Sequence, residues 1–547
     1  MTSAHRQPAQ DAGQILRGDE ALALGAAAAG VRVVSGYPGS PATGVFDGLV
    51  ELLAPDESHV EWAPNEKVAM ELAFGASLGG KRSLVVVKSV GMNIALDPLA
   101  TFSLSGSHAG LVILLGDDPS GWSSQNEQDS RWMAHVAEVP IVEPLDVTHA
   151  ASLMVQAFAW SEAVGTPIIV RITRAMSLAR APVERPWHLP EGVGGFVRKR
   201  NRWIVLPAYV VNRHWALHRK LLRIQQAFEA SPYDVAVGEG DLGVLAIGFM
   251  YSKLREMLAE TWPGFAVLGL ASVWPLPEAP LINWLRNRRR VLILEEGGPF
   301  AEVQVRALAQ RAGLFLEILG RDDRVVPGEG ELTPVEMADA LSRLNPAYQP
   351  PKREAVERPM PSRVPLCEDC PYRPALEVLI EAMERHGGRE RHIVIGETGC
   401  MVRANLPPME LFDVKYGLGS GLGLAMGLSE ADTGHHIVAL VGDSSFFHSD
   451  INAMPYLAQS ASPVTVMVLD NRTTALTGGQ AHPGSDTDER GGKRRAVDLV
   501  DIIAACGVRP ALFRPEQREA LATAVNEALS VEELRVLVVR GPCPRYT

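Results

Sequence analysis

No run of about 18 or more apolar residues occurs in the 547-residue chain, and a membrane-crossing helix needs one, so no such helix is expected. The start, Met1 to Asp11, is polar and lacks the apolar core of an export signal, so a cytoplasmic location is expected. Positive charge is outweighed: 52 Lys and Arg stand against 64 Asp and Glu, a formal net charge of −12. That balance argues against nucleic acid or an anionic membrane as partner, since both need a concentrated positive field. Five cysteines are too few for a secreted disulfide framework of this size, and in the cytoplasm they bind metal or stay reduced. Tandem repeats of 20–50 residues are absent as well. What remains is an ordinary globular composition, 46% hydrophobic and 21% charged, on a chain long enough for roughly three to four domains.

Short β-branched runs alternate with helical patterns from one end to the other. In the first third the runs are Val31–Ser35, Ser83–Lys88, Leu111–Leu115 and Pro167–Ile172, with helices between them at Gly18–Ala29 and Lys67–Leu78. The last third repeats the plan with His392–Ile395, His436–Val441 and Val464–Leu469, and an apolar helix over Tyr416–Leu428. Strands alternating with helices predict parallel sheets covered on both faces. A smaller block between them has strands at Val244–Gly248, Ala266–Leu270, Arg290–Glu295 and Leu314–Leu319. A charged, mostly helical connector, Arg198–Gln226, precedes it. The proline-rich, basic stretch from Asn345 to Val364 reads as the clearest linker. The cuts fall near 190, 240 and 350.

The strongest motif lies in the last block. A strand ends in Gly442-Asp443-Ser444, and residues 445 to 470, 26 in all, separate this from Asn471, which closes a second strand. Magnesium beside a diphosphate wants octahedral oxygen ligands. Asp443, Asn471 and the Thr473 carbonyl offer three, and Gly442 lets phosphate approach the main chain. The pattern resembles the thiamine-diphosphate signature, GDG, a spacer of this length, then N, with serine in third place. The plainer reading is a Gly-Asp turn. The series Gly417-Leu-Gly419-Ser-Gly421-Leu-Gly423 strengthens the cofactor reading, because it opens a helix where phosphate oxygens meet free amides.

Thiamine chemistry also needs a carboxyl group beside the aminopyrimidine ring. Glu66, in Val60-Glu-Trp-Ala-Pro-Asn-Glu-Lys67, sits at the start of an apolar helix and is the candidate; otherwise it merely complements the helix dipole. Tyr37, Pro38 and Gly39 open a turn after a strand, where the hydroxyls of Tyr37–Thr43 could meet a substrate carboxylate. Asn93 and Lys88 follow another strand and face the same cleft, unless Lys88 is simply solvated. Gln480 and His482 are candidate lid or substrate contacts. The charged run Asp486–Arg495 reads as a mobile surface loop, or as one that closes over the site.

The cysteines fall into a pattern. Cys367 and Cys370 form a CxxC before the first helix of the last block, Cys400 follows its first strand, and Cys543 lies near the end. The second CxxC of a zinc ribbon is missing, as is a compact ferredoxin run. Four thiolates from distant loops nevertheless suit one cube-shaped cluster. Cys506 reads as an ordinary buried thiol.

Taken together these residues resemble the alpha subunit of the indolepyruvate (arylpyruvate) ferredoxin oxidoreductases, in the pyruvate:ferredoxin oxidoreductase superfamily. The similarity runs from Leu16 to Cys543. It includes Gly36-Tyr-Pro-Gly-Ser-Pro-Ala-Thr43, Gly91-Met-Asn93, Asp97-Pro98, Ser123-Ser-Gln-Asn-Glu-Gln-Asp-Ser-Arg131, Gly442 to His448, Leu469-Asp-Asn-Arg-Thr-Thr474, Gln480 and His482-Pro-Gly484. The resemblance implies an α/β thiamine-diphosphate-binding fold, two parallel-sheet cofactor domains with a transketolase C-terminal-like domain between them. Residues 1–190 would be the pyrimidine-binding domain, 191–240 a helical connector, 241–350 the transketolase-like domain, and 351–547 the diphosphate-binding domain with the cluster cysteines. It implies oxidative decarboxylation of an aryl 2-oxoacid to its acyl-CoA, with coenzyme A as co-substrate. Glu66 would contact the aminopyrimidine, while Asp443, Asn471 and Thr473 hold Mg2+. Gly442, Ser444, Gly419, Gly421, Tyr37, Pro38, Gly39 and Asn93 would line the cofactor, and Cys367, Cys370, Cys400 and Cys543 would hold one [4Fe–4S] cluster. Implied partners are ferredoxin or another acceptor and a beta subunit carrying a gamma-type domain, in a dimer of heterodimers.

Two departures stand out. The family's alpha subunit usually continues into a ferredoxin-like domain, whereas this chain reaches Thr547 without one, so electrons are expected to leave directly or through a partner. Histidines are common in the family where Ser89, Tyr372 and Gly479 stand here. These departures leave room for a non-oxidative thiamine-dependent decarboxylase or carboligase, and less for a non-catalytic subunit.

Overall fold

A computed structural model describes residues 13–192, 194–259, 261–350, 364–460 and 462–546. The polar start and most of the proline-rich linker (351–363) lie outside the described residues. The chain divides into two compact units, one of 1–60 and 66–359, the other of 360–547 joined by the short stretch Glu61–Asn65.

The first unit holds two main sheets. Its seven-stranded sheet runs Ser272–Trp274, Ile141–Val142, Ile168–Thr173, Leu111–Asp117, Ser83–Lys88, Val33–Gly36, His59–Trp62. The strands Ser83–Lys88, Leu111–Asp117 and Ile168–Thr173 are buried along their whole length, which is why they read as unbroken apolar runs rather than alternating ones. They pair in parallel, so each strand's carboxyl end opens on the same side. The five-stranded sheet runs Glu317–Leu319, Arg290–Leu294, Leu242–Ile247, Ala266–Leu270, Val235–Val237, the last antiparallel.

Among the strands that were not expected, two short ones shape these sheets. Val235–Val237 adds an edge, and Ser272–Trp274 leaves the second sheet's neighbourhood to pair antiparallel with Ile141–Val142 of the first. An ionic network reinforces that seam. Arg171 meets Asp117 at 2.6 Å and Glu143 at 2.8 Å, and its guanidinium donates to the Glu296 carbonyl at 2.9 Å. Arg131 meets Asp129 at 2.7 Å and Glu295 at 2.8 Å. Both arginines are fully buried. The connector is helical as expected, with a short helix over Arg200–Trp203 and a long one over Pro207–Glu229, where Pro207 is pre-set for a first helical turn.

The second unit holds one parallel six-stranded sheet: Val414–Lys415, His392–Gly396, His436–Gly442, Val464–Asp470, Arg535–Arg540, Ala511–Phe513. Its register pairs Gly442 with Leu469 and Asp470 with Arg540, so the residues that follow these strands emerge side by side. The helix expected over Tyr416–Leu428 is Gly421–Glu430 instead. Gly419 adopts φ 71°, a left-handed turn that helical continuation forbids. Among the described residues, no helix is long and apolar enough to cross a membrane.

Candidate functional site

In the second unit the site grows from the carboxyl ends of three neighbouring strands. Asp443, directly after His436–Gly442, is 2% exposed. Its Oδ2 accepts from the backbone N–H of Asn471 (3.0 Å) and Arg472 (2.6 Å), and its Oδ1 from Ser444 N–H (2.8 Å). Arg472 holds φ 61°, and this tight turn brings Asn471 and Thr473 to the carboxylate. Asn471 Oδ1 accepts from Thr473 N–H at 3.1 Å, and the Thr473 carbonyl accepts from Ala475 N–H at 2.9 Å. His482, which the sequence marked only as a lid or substrate contact, is 3% exposed with Nε2 3.2 Å from Asp443 Oδ2.

The glycine series differs from expectation. The Gly419 amide donates to Ser445 Oγ at 3.0 Å, the Gly421 amide to Glu397, and the Leu422 amide to Asp450 Oδ1 at 3.2 Å. These amides are therefore taken, not free, because two buried acids stand where phosphate oxygens were expected. Burial pushes the Glu397 carboxyl well above the usual range, and the neighbouring Asp450 charge adds to it. Burial likewise pushes Asp450 up to about 6. One oxygen of each acid is buried with no other donor, so a single proton shared between the two carboxyls satisfies both. Sequence reading passed Glu397 by inside Gly396-Glu-Thr-Gly-Cys400; an acid directly after a strand-ending glycine was the available signal.

The cysteines converge. Cys367, Cys370, Cys400 and Cys543 line one cavity of about 70 Å3 together with Tyr372, Arg403, Asn471 and Tyr546. Each is half-buried. Burial pushes the Cys400 thiol up to about 12, against the pull of Arg403, and raises that of Cys370. Tyr372 is fully enclosed, and its hydroxyl donates to the Leu469 carbonyl at 3.0 Å. Burial raises that phenol well above its ordinary value, with the Asp443 charge the next contributor. Gly479 has φ 85°, and a Cβ there would lie 2.5 Å from Cδ1 of Tyr546, so the tyrosine ring occupies the room a histidine at 479 would need. Cys506 stays outside this group, half-buried against the core.

The run Asp486–Arg495 is not a loose loop. Asp488 Oδ1 accepts from Arg490 and Gly492 N–H, residues 487 and 493 form a bridge, and Arg494 donates to the Ser485 and His482 carbonyls.

In the first unit, Glu66 opens the helix Glu66–Leu78 at 4% exposure. Gly91 packs against its carboxyl, where any Cβ would collide, so the glycine keeps room for the acid. Lys88 is buried, not solvated; its Nζ donates to the Ser123 carbonyl at 2.9 Å. Burial lowers its pKa, opposed by Asp118 and Glu66. Tyr37, Pro38 and Gly39 are buried at the turn, and Thr43 Oγ1, expected to reach substrate, accepts from Gly39 N–H at 2.8 Å. Asn93 is exposed and bonded to Gln128, which also donates to the Ser89 carbonyl at 2.8 Å. The Ser89 hydroxyl is buried without a partner.

Residues 24–186 match the family described as pyruvate flavodoxin/ferredoxin oxidoreductase, thiamine diP-binding, and residues 397–539 match the thiamine pyrophosphate enzyme, C-terminal TPP binding domain. The chain is 33% identical to the indolepyruvate oxidoreductase subunit IorA of Pyrococcus abyssi, over 97% of this chain and 86% of that one. It belongs to the IorA family. The IorA subunit of Archaeoglobus fulgidus is similar to the same degree, 32% identical over 96% of this chain and 86% of its own. With IorA membership comes the enzyme class, a thiamine-diphosphate-dependent 2-oxoacid:ferredoxin oxidoreductase, and the two matched domains are its cofactor-binding folds. In this IorA subunit Asn471, which closes the GDS…N spacing, lines the same cavity as the four cysteines, and Ser89 and Tyr372 are buried.

Proposed function

We propose that this chain is the catalytic subunit of an enzyme that oxidatively decarboxylates an aryl 2-oxoacid such as indolepyruvate. Its product is the acyl thioester of coenzyme A, and its electrons leave through one [4Fe–4S] cluster to ferredoxin or a partner subunit. The observation that carries this reading is that Asn471, in the turn clamped to Asp443, lines the same cavity as the four cysteines. Electron source and electron exit would then be neighbours.

The residues fit the groups this chemistry needs. Asp443, Asn471 and the Thr473 carbonyl present the hard oxygen donors that Mg2+ prefers, and Gly442 and Ser444 flank the place of the diphosphate. Among the described residues, no three cysteine sulfurs lie within 4.8 Å of one another, the spacing that a single tetrahedral zinc would require. Thiolates on a four-iron cube stand further apart. When bound, thiamine diphosphate supplies an electron sink for decarboxylation, and the cluster supplies one-electron capacity. Glu66 holds or releases a proton at the aminopyrimidine. Lys88, buried beside it, supplies positive charge that would attract the substrate carboxylate. Tyr372 closes the space between cysteines and Asp443 with a neutral phenol. A beta subunit with a gamma-type domain, in a dimer of heterodimers in the cytoplasm, completes the assembly.

The test is iron and acid-labile sulfide, with visible and EPR spectra, on protein purified without oxygen. About four irons per chain, lost in Cys367→Ser or Cys400→Ser, is the expected result. Bound thiamine diphosphate without iron would overturn the electron-transfer part, and release of free aldehyde from 2-oxoacids would then mark a non-oxidative decarboxylase.

A further inference from the structure

Far from the cysteines, three side chains meet on the surface of the first unit. His214 and His218 lie one turn apart on the helix Pro207–Glu229, so both imidazoles leave the same face. Their ring centroids are 4.4 Å apart. Glu138 reaches both: its Oε2 lies 2.5 Å from His214 Nε2 and its Oε1 2.9 Å from His218 Nε2. Among the described residues this is the group of His, Cys, Asp and Glu whose ligand atoms all fall within 4.8 Å of one another.

The backbone under Glu138 adds an independent observation. The helix Arg131–Val136 ends with Glu138 N–H donating to the His135 carbonyl and Val139 N–H to the Ala134 carbonyl, and Glu138 itself sits at φ 54°. This is the left-handed position after a helix, where glycine is the usual residue because a Cβ is disfavoured. A glutamate held there brings a carboxylate to the two imidazoles at a conformational cost that hydrogen bonds on an exposed surface do little to offset.

We propose that Glu138, His214 and His218 form a binding site for a divalent transition-metal ion of the zinc type. Two neutral imidazole nitrogens and one carboxylate suit Zn2+, Co2+ or Ni2+, whereas Mg2+ and Ca2+ want oxygen alone. The cation takes the place between rings and carboxylate, with each neutral imidazole in the tautomer that carries its proton on Nδ1 and offers Nε2 as the ligand atom. Three protein ligands leave a further position open to water, as the exposure of the rings allows; side-chain exposure is 46% for His214 and 51% for His218. The ion ties the connector helix to the chain reversal at 138. The helix does not depend on it for folding. Leu217, Ile224 and Phe228 are buried, Phe228 meets Trp160 edge-on at 5.0 Å, and Lys220 Nζ donates to the Gly165 carbonyl at 2.7 Å.

The experiment is titration of the intact, anaerobically purified protein with Zn2+ by calorimetry, and with Co2+ by visible absorption, beside a thermal melt at each metal concentration. Cobalt on nitrogen and oxygen lacks the intense near-ultraviolet thiolate band, which separates this site from the cysteines. The expected result is one ion per chain without a thiolate band, a melt that moves up with metal, and affinity more than about 100-fold weaker in His218→Ala and His214→Ala. Glu138→Gly restores the favoured residue, so its metal-free melt should hold or rise while the metal response is lost. Equal binding by wild type and His218→Ala would overturn the proposal. So would a Glu138→Gly protein that melts lower yet keeps its response to metal.

Discussion

Two buried charge clusters in this molecule are built on opposite plans. In the first unit, Arg131 and Arg171 are sunk completely and every charge faces an opposite one at 2.6–2.8 Å: Asp117, Asp129, Glu143 and Glu295. In the second unit, Glu397 and Asp450 are equally buried but, among the described residues, neither forms an ion pair with an arginine or lysine, Lys415 feeling the Glu397 charge only from beyond that distance, and a proton takes the cation's place. The paired cluster lies at the seam between two sheets and serves geometry. The proton-sharing pair joins Glu397, directly after a strand, to Asp450 at the end of the helical turn Phe446–Asp450, and it occupies the amides of Gly421 and Leu422. A fixed cation makes a cluster insensitive to pH, while a shared proton makes its neighbourhood respond to it.

The largest effect should come from breaking the paired cluster. Arg171→Met removes the cation between Asp117 and Glu143 and leaves two carboxylates buried with one partner fewer. Losing one member of a buried pair costs about 3–5 kcal/mol, because the remaining charge stays desolvated. A thermal or urea melt should show that loss with little dependence on pH near neutrality. A loss under about 1 kcal/mol would mean that water reaches the network and that the seam is not held by charge.

A smaller, pH-dependent effect should mark the other cluster. The folded protein holds the Glu397 proton well above the ordinary value of 4.5, whereas the unfolded chain releases it there. The contribution is therefore fully present below pH 4.5 and declines as pH rises toward the folded pKa, by about 1.4 kcal/mol per unit. Glu397→Gln keeps the shape and a donor for Asp450 but removes this linkage. Its stability relative to wild type should climb steadily above pH 4.5, measured as the difference between two melts at each pH. Parallel curves would show that Glu397 ionises normally and that no proton is shared.

The contrast also explains what could be read in advance. Strands such as Ser83–Lys88 and Val464–Asp470 were legible because burial on both faces writes itself as a continuous apolar run. Val235–Val237 and Ser272–Trp274 are three residues each, too short to show a period, and exist only because a partner strand is already in place. Asp443, Asn471 and Glu66 lie in local motifs whose spacing carries the chemistry. Glu397 and Asp450 meet across 53 residues, and Glu138 meets its histidines across 76 and 80, so no local pattern joins the acid of either group to its partners. For Lys88 a solvated side chain was the plainer alternative to a place in the cleft, because a lysine after a strand is usually exposed, and only tertiary packing encloses it.

The smallest effect should separate packing from charge at the join between cysteines and Asp443. Tyr372 is enclosed, and its phenol stays neutral because burial and the nearby acids and thiols oppose its ionisation. It therefore adds no charge beside Asp443 and the cysteines, and its hydroxyl makes a single bond, to the Leu469 carbonyl. Tyr372→Phe keeps the ring and deletes that bond, which is worth about 1 kcal/mol. The melt should fall by that amount while iron per chain stays unchanged, since none of the cysteines moves. Loss of iron in this variant would instead make the hydroxyl part of what holds the cysteine cavity open, and would place Tyr372 among the groups that determine cluster assembly.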